Sequence, residues 1–394
     1  MMARRRFELP GIQDLSKSQE DARALPKDGQ HLIIGGPGTG KSVLALLRSR
    51  RHRQDRDDYI FLVYNHLLNQ ASGQLFGDNL QSRQWQSWFE KTFKVMTNER
   101  VPKLPDKPGS NWRVVDWAQV HSTIAAQPQN QDKAKLPYLI IDEGQDMPPQ
   151  FYEALVNLGF ENFFVTADQN QQIIPDQNST RQEISNVLDI EPSNVIELHD
   201  NYRNTFLIAR LAREFYTGNP ASPPPNLPNA RAVAKKPILL QYKQDQFTSL
   251  INSILKMADI NPRVLVGVIT PNNVVRERYI EALHTSEVNL DNEKPKIRTY
   301  KNGMNPSKLL FDEGGIMVIN AQSCKGLEFD TVILADINEY FFHHEIVDQK
   351  RRLFYVMVAR AINNIIMLKK YEGENKHCPI DEILPTDNDI LEWK

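Results

Sequence analysis

Short apolar runs punctuate the first half of the chain at residues 31–34, 59–63, 138–141, 162–166 and 195–198. Runs of this length, rich in β-branched and aromatic residues, predict strands buried on both faces of a parallel sheet. Helical spacing between them predicts helices over 41–51, 85–95 and 149–158. The alternation resumes after Pro237, with strands over 238–241, 263–269, 316–320, 331–334 and 365–368 and helices over 247–257, 274–283 and 351–361. Between the halves, residues 205–216 read as a helix, and Pro220, Pro223, Pro224, Pro225 and Pro228 as a stiff crossover. Two α/β units follow, each a parallel sheet flanked by helices, with ligands expected at the carboxyl edges of the strands.

The first apolar run leads into Gly35, Gly36, Pro37, Gly38, Thr39, Gly40, Lys41 and Ser42. A glycine-rich turn between a strand and a helix lets backbone N–H groups point inward and places an anion at a helix N-terminus. The pattern predicts a phosphate-binding loop, with Lys41 reaching the β and γ phosphates of ATP and the Ser42 hydroxyl on Mg2+. The run 138–141 opens into Asp142 and Glu143. Two carboxylates at such an edge suit one that holds the cation, Asp142, and one that polarises an attacking water, Glu143.

The sequence Asp142-Glu143-Gly144-Gln145-Asp146 resembles the Asp-Glu-x-Gln-Asp box of UvrD/Rep-like superfamily 1 helicases, and further motifs follow in that family's order. The resemblance implies two tandem RecA-like P-loop domains and carries several roles with it. Gln19 would read adenine, since an amide both donates and accepts. Gln171, in Ala167-Asp168-Gln169-Asn170-Gln171, would meet the γ-phosphate or the attacking water. Arg203, in Asn201-Tyr202-Arg203-Asn204, would bind the γ-phosphate. Glu328, in Ser323-Cys324-Lys325-Gly326-Leu327-Glu328-Phe329, would lie near the nucleotide sugar. Arg360, ending Arg352-Leu353-Phe354-Tyr355-Val356-Met357-Val358-Ala359-Arg360, would act as an arginine finger. Ala167, Cys324 and Ala359 depart from the family pattern, and residues 172–175 lack its base-stacking aromatic.

With 394 residues, the chain accommodates two domains of ordinary size, expected at 1–199 and 200–394. The spans 66–136 and 272–315 leave room only for small inserts where larger relatives carry helical subdomains, and 217–236 forms the proline-rich crossover. A net charge of −2 argues against coating nucleic acid by bulk attraction, so a local groove is expected. Tyr64, Asn65, His66 and Trp85 are candidates for a single-strand track, by position in the family and by the sequence tolerance of aromatic stacking. Trp88 and Phe89 also fit core packing at helical spacing with Phe93. The two cysteines, Cys324 and Cys378, and the pair His343-His344 form no grouping with metal-ligand spacing, so no metal beyond Mg2+ is expected, and the absence of a long apolar stretch predicts a cytoplasmic protein without membrane contact.

The function expected from the resemblance is an ATP-dependent single-strand translocase or helicase, acting on DNA with 3′ to 5′ polarity. The alternative is a nucleotide-gated regulatory ATPase that licenses a nuclease or other effector, with a partner protein supplying the surface of the missing inserts.

Overall fold

The apolar runs form the strands of two separate sheets. The computed structural model describes residues 14–64, 80, 82–105, 114–127, 135–171, 178–218, 223–230, 234–300, 313–340, 347–371, 373 and 378–394. The first sheet contains β1 (Gln30–Gly35), β2 (Tyr59–Val63), β3 (Ser82–Gln84), β4 (Tyr138–Ile141), β5 (Phe163–Ala167) and β6 (Val195–Leu198), in the order β3-β2-β4-β5-β1-β6. The second contains β7 (Ile238–Tyr242), β8 (Leu265–Thr270), β9 (Ile297–Thr299), β10 (Gly315–Asn320), β11 (Phe329–Leu334), β12 (Ala361–Lys370) and β13 (Glu392–Trp393), ordered β13-β7-β12-β11-β8-β10-β9. Every pairing between these strands is parallel.

Each sheet lies between two helical layers, because alternate strand residues need apolar cover on both faces. In the first sheet, Leu32 and Ile34 face a core that also holds Phe89, Phe93, Val120, Phe151 and Ile184. These come from α3 (Trp85–Thr97), α4 (Trp117–Ala125), α5 (Pro149–Asn157) and α6 (Arg181–Val187). Ile33 faces the other way, toward α1 (Lys17–Ala24) and α2 (Lys41–Gln54) through Ala22, Leu44 and Ala45. The second sheet repeats the plan. Ile208 and Leu211 of α7 (Phe206–Glu214), Phe215 just after it and Phe354 of α10 (Val347–Val358) cover one face. Ile251, Leu255, Val275 and Tyr279, from α8 (Phe247–Ile260) and α9 (Asn273–Thr285), cover the other. The fold is thus α/β with two parallel sheets, the tandem RecA-like arrangement.

The two intervals expected to hold small inserts contribute to the layered units themselves. The interval 66–136 supplies β3, which joins the first sheet beside β2, as well as α3 and α4 in its core. The interval 272–315 holds α9 and the edge strand β9, both part of the second layered unit. Among the described residues, no helix is long and apolar enough to cross a membrane.

Candidate functional site

In a parallel sheet, loops leaving neighbouring strands at their carboxyl ends converge on one edge. The strand order therefore brings together the loop after β1, Asp142 after β4, Asp168 after β5 and Asn201 after β6. Glu328 and Arg360 precede β11 and β12, so the second unit presents the amino ends of these adjacent strands to the cleft. The Phe329 amide donates to the Arg360 carbonyl at 3.0 Å and holds the two approaches together.

Gly38 and Gly40 adopt positive φ, 77° and 88°, a conformation that glycine takes without a Cβ penalty. The Gly38 carbonyl accepts from Tyr202 N at 2.8 Å, which ties the phosphate loop to the segment leaving β6. Lys41, the first residue of α2, is buried, and its Nζ donates to the carbonyls of Gly35 (2.7 Å) and Gly36 (2.9 Å). It lies 3.9 Å from Asp168. Burial holds the Lys41 ammonium below its ordinary pKa, against the opposing pull of Asp168, Glu143 and Asp142.

The Ser42 hydroxyl donates to Asp142 Oδ2 at 2.8 Å, and Thr166 Oγ1 to Asp142 Oδ1 at 2.5 Å. Burial, then the neighbouring Glu143 charge, raise the Asp142 carboxyl above its ordinary pKa. The hydroxyl and carboxylate form a hard-oxygen pair that fits Mg2+, a cation usually held by one or two carboxylates together with phosphate oxygens and water. Glu143 sits in the left-handed region at φ 57°, a costly conformation for a residue with a Cβ. Burial favours its neutral form, but Lys325, Lys41 and Arg360 outweigh it and hold the carboxyl at about 2. Gln145 supports this arrangement from both ends: its Nε2 donates to Glu143 Oε2 (2.7 Å) and its Oε1 accepts from Asp168 N (2.9 Å).

Second-unit cations reach across to these groups. Arg360, 1% exposed, donates from Nη2 to Gln171 Oε1 at 2.6 Å and from Nε to Val356 O at 3.0 Å. Arg203 pairs with Glu328, so the two residues expected at phosphate and sugar touch one another. Gln19 closes the first turn of α1 through a capping box, with Ser16 N donating to its Oε1 at 3.0 Å, and its Nε2 donates to Thr39 O at 2.9 Å. Each end of that amide keeps one further hydrogen-bonding position.

The strand-track candidates divide. Tyr64 lies half-buried beside Asp146, and burial, with that neighbouring charge, pushes its hydroxyl up to about 12. Trp85 packs edge-to-face on Phe151 with ring centroids 5.0 Å apart. Phe89 and Phe93 are fully buried, as helical spacing suggested. Asn65 and His66, as well as residues 172–175, lie outside the described residues.

Two residues in the cleft were assigned no role from the sequence. Lys325, 3% exposed, contacts Asp146 at 2.6 Å and donates to the Gln171 carbonyl at 2.5 Å. Burial pushes Asp146 up to about 7 against the pull of that ammonium. Lys325 is the Lys of the box that also supplies Glu328, so its signal was present in the same motif. Tyr202, 53% exposed, offers an aromatic face on the segment bonded to the phosphate loop. Its signal was the residue next to Arg203.

Comparisons with known proteins fall on both units. Residues 30–209 match the model of the Schlafen group 3 DNA/RNA helicase domain, and residues 315–367 that of the UvrD-like helicase C-terminal domain. One similar solved structure is described as the C-terminal domain of a possible DNA helicase from Lactobacillus plantarum WCFS1. It shares 16% identity, covers 49% of this chain and 98% of its own, and has a TM-score of 0.34. A search of curated proteins gives no match.

Proposed function

We propose that the chain is a UvrD-like helicase, an ATP hydrolase that moves along single-stranded nucleic acid, with DNA as the substrate and 3′ to 5′ polarity; the family models matched by residues 30–209 and 315–367 support this reading. The carrying observation is the bipartite cleft: Lys41, Ser42, Asp142, Glu143 and Gln171 on one side, Lys325 and Arg360 reaching Asp146 and Gln171 from the other, and the pair of Arg203 with Glu328 linking the segment beside the phosphate loop to the second sheet. Residues 1–199 and 200–394 are taken as the two working halves.

In this reading, Gln19 and Tyr202 receive the base, and the phosphate loop holds the β and γ phosphates. Mg2+ held at Ser42 and Asp142 would neutralise developing phosphate charge. Glu143 accepts the proton of the attacking water, whose position Gln171 helps to set. Arg203 and Arg360 then meet charge that develops on the γ-phosphoryl oxygens. Because Arg360 comes from the second sheet and Arg203 lies on the segment running from the phosphate loop to that sheet, hydrolysis reports on closure, and cycles of closure become steps if each half grips the strand in turn. Tyr64 on the first half suits such a grip. The second half offers amides at the carboxyl ends of β8 and β10, where Asn320 Nδ2 donates to Asn273 Oδ1 at 2.9 Å beside the 77% exposed Val274.

Arg360→Ala is expected to leave nucleotide binding within a few-fold of wild type while hydrolysis falls by about 10³, the scale of an arginine finger. Parallel binding and steady-state ATPase assays check this; equal losses in both would give Arg360 a structural task.

The switch reading draws support from the small interval 272–315, which α9 and β9 occupy as parts of the second layered unit. ATPase measured with and without a single-stranded oligonucleotide, followed by translocation on a labelled strand, decides between the two. Stimulation by the strand and directional movement support the motor. A rate indifferent to the strand until a second protein is added supports the switch.

A further inference from the structure

The prolines between the two units include a short strap, residues 223–230, which lies against the phosphate loop. Pro225 is buried there, while its neighbours Pro223 and Asn226 are exposed. A Cβ built on Gly36 would run into the Cδ and Cγ of Pro225, so backbone and ring are in close apposition. The strap is held from both sides. Arg213 of α7 donates from Nη2 to the Pro225 carbonyl at 2.7 Å. Asn226 N donates to His199 O at 2.5 Å and its Nδ2 to Asp200 Oδ1 at 2.9 Å, in a parallel bridge alongside the chain leaving β6.

We infer that Pro225 is a positioning residue for the phosphate loop: clamped by Arg213, it braces the Gly36 backbone from outside and keeps the loop amides in register for phosphate. The physical reason is conformational entropy. A glycine-rich loop has many accessible backbone states, and each must be restrained before its N–H groups converge on an anion. A proline ring serves well as the brace because its own φ is fixed. The Arg213 guanidinium sits on α7, whose Ile208 and Leu211 are built into the core of the second sheet. The brace therefore ties the shape of the first unit's loop to the packing of the second. It also gives Gly36 a reason to be glycine that is separate from backbone strain, namely the space taken by the ring.

The inference rests on the nucleotide-site reading, and the test separates the two. Binding of mant-ATP with Mg2+ is measured for the full-length chain and for Gly36→Ala, Pro225→Gly, Arg213→Met and the double variant Gly36→Ala with Pro225→Gly. Pro225→Gly and Arg213→Met are each expected to weaken binding about tenfold, with saturated turnover close to wild type. Gly36→Ala alone weakens binding, but adding it to Pro225→Gly costs much less, because the methyl group then occupies the space of the missing ring. An undiminished Gly36→Ala penalty in the Pro225→Gly background, or wild-type affinity in Pro225→Gly, overturns the brace. Hydrogen exchange of residues 35–42 in the nucleotide-free protein supplies a readout independent of binding. Faster exchange in Pro225→Gly supports the brace, and unchanged exchange overturns it. Absence of mant-ATP binding by the wild type counts against the nucleotide site itself and leaves the exchange result to judge the strap.

Discussion

Glu143→Gln is expected to reduce ATP turnover by about 10³ or more while leaving nucleotide binding in place, a loss on the scale of removing a positioned general base. The side chain is the right shape for the pocket, so the amide can keep contact with Gln145, whose Nε2 sits 2.7 Å from Glu143 Oε2. What disappears is the capacity to accept a proton. The surroundings of Glu143 keep it in the ionised form that can take a proton, at a cost in basicity: although burial opposes ionisation, Lys325, Lys41 and Arg360 hold the carboxylate charged. Its left-handed backbone is a cost that the fold bears to bring it into the cleft. Steady-state phosphate release and mant-ATP binding measured side by side check the expectation. Robust turnover in the glutamine variant would place the base elsewhere.

Lys41→Ala is expected to abolish turnover and weaken nucleotide binding together, each by about 10² or more, because a buried cation aimed at phosphate oxygens acts in a water-poor site. The fold should tolerate the change. An ammonium that is 7% exposed is costly to bury, and its loss removes a desolvation penalty along with its contacts to Gly35 and Gly36. A thermal unfolding midpoint close to wild type, combined with lost binding, identifies a functional lysine. A large drop in the midpoint with binding retained would instead assign Lys41 to holding the loop.

The central strands were legible because their runs are apolar on both faces, as β4 and β5 show with every residue buried. Of the edge strands, only β6 was, through its apolar run 195–198. The three-residue strands β3 and β9 and the two-residue β13 gain their structure by pairing with a neighbour, and carry no periodicity of their own. The short helices α1, α4 and α6 were missed for a related reason. Side-chain caps mark their beginnings, at Ser16, Asp116 and Thr180, but so few turns give little amphipathic signal. In the site, the loop and the Asp142–Glu143 pair could be read from local chemistry. Lys325 stands in the same box as Glu328, but its contacts could not be read, since its partners Asp146 and the Gln171 carbonyl are remote in sequence and meet it only when the two sheets face each other. The Arg203 pairing with Glu328 is likewise a tertiary fact.

The contact between Lys325 and Asp146 is sealed from water, with the two side chains 3% and 4% exposed. Dissolved ions screen charges that solvent can reach and scarcely affect those it cannot. Electrolyte should therefore weaken the hold on a polyanion lying along the outer rim while leaving the clasp between the two sheets intact. Ionic strength becomes a lever on what the protein carries, and not on how its halves fasten.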